Sequence, residues 1–215
     1  MDETLAQLAQ HRITPAVVID DADAAMKLGD AMVAGGLPVI EVTLRTPSSL
    51  KALEILAGRG DMLVGAGTVT NLTQLDAARR AGARFIVTPG LDDPIIRHCR
   101  QKDLLIIPGA VTPTEIMHAQ NMGLAAIKFF PCHAFGGLAA IDALSGPFAQ
   151  MKFMPTGGIT PANLPQFLAH KNILACGGTW MAKREWIQTQ AWDAVEHACR
   201  ETVSLVRGNA AAGGR

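Results

Sequence analysis

Short runs of apolar residues recur at regular intervals along the chain, and longer segments with a different periodicity separate them. The short runs are rich in Val, Ile and Leu, which is typical of strands in a parallel sheet covered on both faces. They are PAVVID, PVIEVTL, MLVGAGTV, RFIVTPG, LLIIPG, AAIKFFP, MKFMPTGG and NILACGG. This pattern predicts eight buried strands.

The segments between these runs show helical periodicity. Several of them begin with an Asp, Asn or Thr that can cap a helix and end in Gly, as in NLTQLDAARRAGA and TPTEIMHAQNMG. Strands and helices therefore alternate throughout the chain. Strands this apolar favour a closed α/β fold, a (β/α)8 TIM barrel with an extra N-terminal helix, over an open flavodoxin-like or Rossmann sheet, which is the alternative.

Length and composition predict a single domain that assembles into a homo-oligomer. A chain of 215 residues is long enough for one barrel, and we predict a single domain over residues 1–207. The ending GNAAAGGR, residues 208–215, is predicted to be a flexible tail because its residues are small. With 49% hydrophobic and 18% charged residues, some apolar surface is expected to be covered in a homo-oligomer.

Charge and cysteine usage argue against several classes of protein. Nineteen Lys and Arg balance nineteen Asp and Glu without a basic run, so no nucleic-acid partner is expected. No stretch of eighteen apolar residues occurs, and the acidic start MDETLAQLAQHRITPAVVID lacks the features of a secretion signal. The four cysteines lack CxxC spacing. These features predict a cytoplasmic protein with reduced thiols, a small-molecule substrate and no membrane partner.

Active sites of barrels lie at the carboxyl ends of the strands, so polar residues late in each strand are the first candidates. Such residues lie in or directly after six of the predicted strands, and we expect them to converge on one mouth. They are Glu41, Thr43, Arg45, Thr68, Thr88, Pro89, Lys128, Thr156, Gly157, Gly158, Gly177, Gly178 and Thr179.

Lys128 interrupts the apolar run AAIKFFP. A buried ammonium is costly to desolvate, so burial favours the neutral amine, which can attack a ketone to form a Schiff base. The protonated imine then withdraws electrons and allows a neighbouring carbon–carbon bond to break. The alternative is a lysine whose amine reaches solvent at a strand end.

Glu41 lies between Ile40 and Val42 in another apolar strand. A buried carboxyl beside a lysine could move protons during imine formation and bond cleavage, so we predict that Glu41 is the general acid/base. A structural ion pair with Lys128 or Arg45 is the alternative.

Arg45 and Thr68 follow the second and third strands and could hold a carboxylate. The planar guanidinium matches the two oxygens of a carboxylate, and a hydroxyl adds a donor. This pair predicts a 2-keto acid whose keto carbon faces Lys128. An exposed charge at a loop edge is the alternative for Arg45.

Two Gly-Gly pairs follow the seventh and eighth strands, in PTGGITPANL and CGGTW. Barrels commonly bind phosphate in the loops after these two strands, because bare backbone N–H groups can surround the anion. The pairs therefore predict that the substrate carries a phosphate remote from the keto acid.

Metal chemistry is the main competing possibility, since Cys132 and His133 follow the lysine strand and Glu41 could join them. No HxH or HExxH spacing occurs. We predict no metal and no cofactor beyond a covalent imine on Lys128.

At these residues the sequence resembles the class I 2-keto-3-deoxy-6-phosphogluconate (KDPG) aldolases, including those that also split 4-hydroxy-2-oxoglutarate. The motifs EVTLRT, GAGTV, TPG, IPGA, IKFFP, PTGGI and CGGTW occur in the family's order between Pro15 and Trp180. The resemblance implies a trimer of (β/α)8 barrels, with the Schiff-base lysine at Lys128 and the acid/base glutamate at Glu41.

The resemblance also implies further contacts with the substrate. It places pyruvate recognition on Arg45 and Thr68 and phosphate recognition on the two glycine loops. Two departures occur: Thr179 stands where serine is more common, and His133 stands where a glutamate is common, near the mouth. The resemblance assigns roles to six residues: Pro89 and Phe130 for the wall, and Gly157, Gly158, Gly178 and Thr179 for the phosphate.

The expected activity is a metal-free lyase that cleaves KDPG to pyruvate and D-glyceraldehyde 3-phosphate, the last step of the Entner–Doudoroff route. 4-Hydroxy-2-oxoglutarate is an additional candidate substrate, and the preferred stereochemistry at C4 is left open. A phosphosugar isomerase or epimerase on the same barrel, or a non-catalytic phosphosugar-binding barrel, are the alternatives.

Overall fold

A computed structural model describes residues 3–213 of the chain. All eight predicted strands are present, and the first begins at Ile13, two residues before the predicted run. The strands are β1 (Ile13–Val17), β2 (Val39–Thr43), β3 (Leu63–Gly67), β4 (Phe85–Val87), β5 (Leu105–Ile107), β6 (Ala126–Phe129), β7 (Lys152–Pro155) and β8 (Cys176–Gly178).

The strands run parallel in two groups that single bridges join into a barrel. Six strands pair in the order β5-β4-β3-β2-β1-β8, and β6 pairs with β7. A bridge between Gly109 and Lys128 links the first group to β6, and bridges from Phe153 to Ile173 and from Thr156 to Gly177 link β7 to β8. The predicted (β/α)8 barrel is confirmed.

Helices follow the strands around the outside, and the predicted extra helix precedes β1. Helix α10 continues past Arg207, where the predicted domain ends. The flexibility predicted for residues 208–215 stays a prediction. Residues 214–215 lie outside the described part of the chain. The helices are α1 (Glu3–His11), α2 (Ala25–Ala34), α3 (Ser49–Gly58), α4 (Leu72–Arg80), α5 (Asp93–Gln101), α6 (Pro113–Asn121), α7 (Gly137–Ser145), α8 (Leu164–Leu168), α9 (Arg184–Gln188) and α10 (Trp192–Gly213).

Side chains cap the first turns of α4, α5 and α6. In α6, the Thr112 side chain accepts from the Glu115 N–H while the Glu115 carboxylate accepts from the Thr112 N–H, so two groups at the helix start are satisfied reciprocally. At α4 and α5, the side chains of Asn71 and Asp92 accept hydrogen bonds from the N–H groups of Gln74 and Ile95. Within residues 3–213, no helix is long and apolar enough to cross a membrane.

The barrel interior is filled unevenly, and this leaves room for a site at one end. Phe85 is fully buried, and a methyl group on Gly65 would lie 2.3 Å from its ring, so the ring fills the space over β3. On β2, Glu41 pairs in register with Ala16 on one side and Gly65 on the other. Small neighbours therefore flank the one buried carboxylate of this strand.

The four cysteines are all buried and unpaired. Burial raises the pKa of the Cys99 thiol to about 12 and that of the Cys132 thiol to about 11, so both stay protonated at ordinary pH. We expect a thiol reagent such as DTNB at pH 8 to react slowly with the native protein and rapidly after unfolding in guanidinium. Rapid reaction of a native thiol would contradict this packing.

Candidate active site

Lys128 and Glu41 meet inside the barrel, as the sequence predicts. Lys128 lies on β6 with 7% of its surface exposed, and Glu41 on β2 is fully buried. The Nζ atom of Lys128 lies 3.1 Å from Oε1 and 3.5 Å from Oε2 of Glu41. A lysine amine and a carboxyl in hydrogen-bond contact can exchange a proton directly, which is the geometry that acid/base work needs.

Gly67 on β3 makes room for the Glu41 side chain. A Cβ atom at this position would lie 2.0 Å from Oε1 of Glu41 and 2.6 Å from its Cγ, closer than nonbonded atoms approach. The glycine of the GAGTV motif is therefore required by the orientation of the carboxylate.

Replacing Gly67 by alanine is expected to displace Glu41 from Lys128. Because Glu41 is buried and has a strand on either side, the fit can be restored only by moving the carboxylate or the strand. We expect activity of G67A to fall at least about tenfold, while overpacking destabilises the fold by about 1–3 kcal/mol. Turnover and urea unfolding of G67A measure the two effects, and G58A, at an uncrowded helical position, is the control.

Arg45 and Thr68 lie side by side after β2 and β3. Nε of Arg45 donates to Oγ1 of Thr68 at 3.2 Å, and the arginine is exposed toward the mouth. Thr68 adopts a φ of 58°, a left-handed conformation that is a genuine outlier for a β-branched residue. The surrounding structure thus holds the Thr68 hydroxyl beside the guanidinium against the local preference of the chain.

The loop after β7 presents free N–H groups. Gly157 and Gly158 have φ values of 94° and 84°, and their carbonyl groups accept hydrogen bonds from the His133 N–H and the Asn163 side chain. Among the hydrogen bonds of residues 3–213, none uses the N–H groups of Gly157, Gly158 or Thr179. Successive N–H groups in such a turn form a concave site for an anion.

These groups surround one cavity of about 200 Å³ at the carboxyl end of the barrel. Lys128 lies above the ring of Phe130, with 5.5 Å between Nζ and the ring centroid. Eight of the ten predicted site residues line the cavity: Glu41, Arg45, Lys128, Phe130, Gly157, Gly158, Gly178 and Thr179.

Thr68 and Pro89 do not line this cavity. Thr68 reaches it through the Arg45 side chain. Pro89 contacts Gly109, which is the bridge partner of Lys128. The contact is close, because a Cβ atom on Gly109 would lie 2.1 Å from the Pro89 carbonyl oxygen. The role of Pro89 in shaping the wall stays a prediction.

Ala16, Val18 and Ile159 also line the cavity, and sequence reasoning assigned them no role. Ala16 and Val18 could be assigned to the cavity once the strands are aligned. Ala16 pairs in register with Glu41, and alternate residues of a strand face the same side. Of the two departures from the family pattern, Thr179 lines this cavity, and His133 packs against Gly158 at an adjoining open cavity of about 410 Å³.

Comparison with known proteins adds relatives that cover nearly the whole chain. The family model for KDPG and KHG aldolase matches residues 5–198. The 2-dehydro-3-deoxy-phosphogluconate aldolase of Haemophilus influenzae is 39% identical over 206 residues, 95% of this chain and 97% of that one. The KHG/KDPG aldolase of Escherichia coli K12 is 39% identical over 192 residues, 89% of this chain and 90% of that one.

A solved structure shows the same fold with a reaction intermediate. It is the KDPG aldolase from Legionella pneumophila with pyruvate captured at low pH as a covalent carbinolamine intermediate. It superposes with a TM-score of 0.90 at 37% identity, covering 93% of this chain and 98% of that chain. A carbinolamine is the adduct of an amine and a carbonyl group, so that protein reacts with pyruvate through an amine.

Proposed function

The chain belongs to the KDPG and KHG aldolase family, and from that premise we propose that it is a class I aldolase that cleaves 2-dehydro-3-deoxy-6-phosphogluconate. The products are pyruvate and D-glyceraldehyde 3-phosphate. The observation that carries the proposal is the buried contact of 3.1 Å between Lys128 Nζ and Glu41 Oε1 at the cavity. A barrel that only bound phosphosugars would not need a lysine in that place.

The first half of the reaction builds an imine on Lys128. The neutral amine adds to the C2 carbonyl of the substrate, and the resulting carbinolamine loses water to give a protonated imine. Glu41 holds the proton given up by Lys128 and donates it to the carbonyl oxygen as the amine adds. It then accepts a proton from the attacking nitrogen and donates it to the departing hydroxyl group, which leaves as water. Burial of both side chains keeps bulk water from competing for these protons.

The second half breaks the bond between C3 and C4. Glu41 removes the proton of the C4 hydroxyl group, the C3–C4 electron pair moves toward the imine to form an enamine, and the aldehyde leaves. Protonation at C3 gives the imine of pyruvate, and its hydrolysis releases pyruvate and restores the amine. The same steps in reverse give aldol condensation.

The two ends of the substrate have separate binding groups in this proposal. Arg45 and Thr68 hold the carboxylate, while the N–H groups of Gly157, Gly158 and Thr179 hold the phosphate. Gly178 belongs to the same phosphate loop as Thr179, and Phe130 forms the wall between the two groups. Holding both ends fixes C2 against the lysine amine, which is the positional contribution to catalysis.

Replacing Arg45 by glutamine is expected to weaken binding of the carboxylate. Loss of a charge-assisted contact of about 1.5–3 kcal/mol corresponds to a fall of about 10- to 100-fold in kcat/KM. The effect should lie mainly in KM and should apply to pyruvate as well as to KDPG. Steady-state kinetics of R45Q measure it, with R97Q on α5 as a control; unchanged KM values would remove Arg45 from the site.

Comparing turnover of three compounds tests the proposed function. They are KDPG, its C4 epimer from the galactonate series, and 4-hydroxy-2-oxoglutarate, with pyruvate release as the readout. We expect cleavage of KDPG, and slower cleavage of the unphosphorylated compound because it lacks the group for the glycine loops. Release of pyruvate from none of them would support an isomerase, an epimerase or a non-catalytic barrel.

Three further features complete the proposal. The imine supplies the electron withdrawal that a metal supplies in other aldolases, and the captured carbinolamine of the Legionella relative supports this route without a metal. A homotrimer and a cytoplasmic location are proposed as well, from the sequence resemblance and the composition.

A further inference from the structure

A second cavity, of about 820 Å³, lies at the opposite end of the barrel from the lysine. It opens under the amino ends of β5 to β8, beside α1. Its lining comes from five separated parts of the chain, which include residues 5–12, 100–106, 123–126, 150–152 and 171–174. The cavity therefore brings together five segments that are distant in the sequence.

The charged lining of this cavity is mostly positive. Arg12, Arg100, Lys152 and Lys171 line it, and Asp103 is the carboxylate among its lining residues. Among the ion pairs of residues 3–213, none involves any of these five side chains. Four cations therefore face one space without carboxylate partners, in a chain with no net charge.

Main-chain carbonyl groups hold three of these cations in place. Arg12 donates to the Leu168 carbonyl, Arg100 donates to the Met122 carbonyl, and Lys152 Nζ donates to the Lys171 carbonyl at 3.0 Å. The first two carbonyl groups stand at the carboxyl ends of α8 and α6, where cations are favourable. Capping helices is thus a sufficient structural reason for Arg12 and Arg100 taken singly.

Helix capping does not account for the cavity between the cations. A guanidinium has five N–H donors and each arginine uses one on a carbonyl, so donors remain for a ligand. The Nζ atom of Lys171 takes part in none of the side-chain hydrogen bonds or ion pairs of residues 3–213, although the carbonyl of this residue accepts from Lys152. The cavity also has apolar walls, formed by Ala9, Leu105, Leu124, Ile173 and Leu174.

We propose that this cavity binds a small organic anion with two or more negative charges, carried by phosphoryl or carboxylate groups. Arginine matches both groups with two parallel hydrogen bonds, and lysine adds a point charge. The apolar walls suit the carbon skeleton of such a ligand, since binding sites are mostly apolar with a few placed polar groups. This site is separate from the catalytic cavity and does not rest on the proposed function.

Calorimetric titration with pyrophosphate and with citrate tests the proposal and separates the two kinds of anion. R45Q serves as the background, because it weakens carboxylate binding at the catalytic end. Pyrophosphate that binds there through the glycine loops does so equally in every variant, so only differences between variants are assigned to this cavity. In this background, adding R100Q and K152Q together should weaken binding of the preferred probe by at least about tenfold, as expected for the loss of charge-assisted hydrogen bonds. Adding R97Q, an exposed arginine of the same helix α5, should leave binding unchanged.

Two further measurements keep the result interpretable. R100Q/K152Q without the background mutation should keep the far-UV circular dichroism of the native protein and unfold in urea in one cooperative transition, which shows that the barrel is folded. A9F fills the cavity without changing its charge and should also weaken binding. Equal affinity in all variants, or no binding of either probe up to about 10 mM, about tenfold above the upper end of usual KM values, would overturn the proposal.

Discussion

Replacing Lys128 by methionine is expected to abolish aldolase activity, with a fall in kcat/KM of at least about 10⁴-fold. Methionine has a similar length but no amine, so no imine can form and the electrons of the C3–C4 bond have no acceptor. Release of pyruvate from KDPG is the measurement. K51M, an exposed lysine in a surface ion pair, is the matched control and should keep full activity.

The same substitution should also change stability. It leaves the Glu41 carboxylate, whose side chain is 1% exposed, buried without its cation. Breaking a buried pair by removing one partner typically destabilises by about 3–5 kcal/mol. Combining K128M with E41Q removes the unpaired buried charge. The double variant should recover much of the lost free energy of unfolding in urea, while activity stays absent. Substantial activity in K128M would show that the lysine is structural only.

Replacing Glu41 by glutamine is expected to lower kcat by about 10²- to 10⁴-fold, the usual contribution of a general acid/base. Glutamine keeps the shape of the side chain and so still fits over Gly67, but it cannot carry a proton between nitrogen, water and the C4 hydroxyl. The lysine remains, so the imine with pyruvate should still form, more slowly.

Two measurements on E41Q, imine formation and turnover, distinguish a proton-transfer role of Glu41 from a purely structural ion pair. If Glu41 serves only to hold Lys128 in place, E41Q should lose stability and imine formation together. If it moves protons, E41Q should fold and still be trapped by borohydride while turnover falls. Rapid-quench measurement of imine formation beside steady-state turnover separates these cases, with E54Q on the exposed face of α3 as the control.

The contact between Lys128 and Glu41 could be predicted from the sequence for a simple physical reason. Each is a single charge in an apolar strand, where only a partner makes burial tolerable. Strands of a parallel barrel end at the same face, so two such charges are brought together by the topology. The glycine loops could be predicted in the same way, from the positions of β7 and β8.

Other features could not be predicted because they depend on contacts between distant residues. The left-handed conformation of Thr68 contradicts the local preference of a β-branched residue. The clearance between Gly67 and Glu41 depends on the rotamer of the carboxylate. Barrel closure rests on isolated bridges, and no periodicity indicates these.

The large cavity at the other end of the barrel was beyond sequence reasoning for a related reason. Its four cations lie in four separated segments, a fifth segment adds only wall residues, and no pair of the cations forms a motif. The net charge of the whole chain is zero and so does not indicate the local excess of positive charge in this cavity. Composition reports on the sum of charges, whereas a site depends on where they face.

Borohydride trapping with pyruvate tests the central mechanism most directly. Native protein incubated with pyruvate and sodium borohydride should gain one reduced pyruvyl group per chain, and peptide mass spectrometry should place it on Lys128. The modified protein should be inactive. A protein that releases pyruvate from KDPG but stays unmodified, or carries the group on another lysine, would contradict imine catalysis at Lys128.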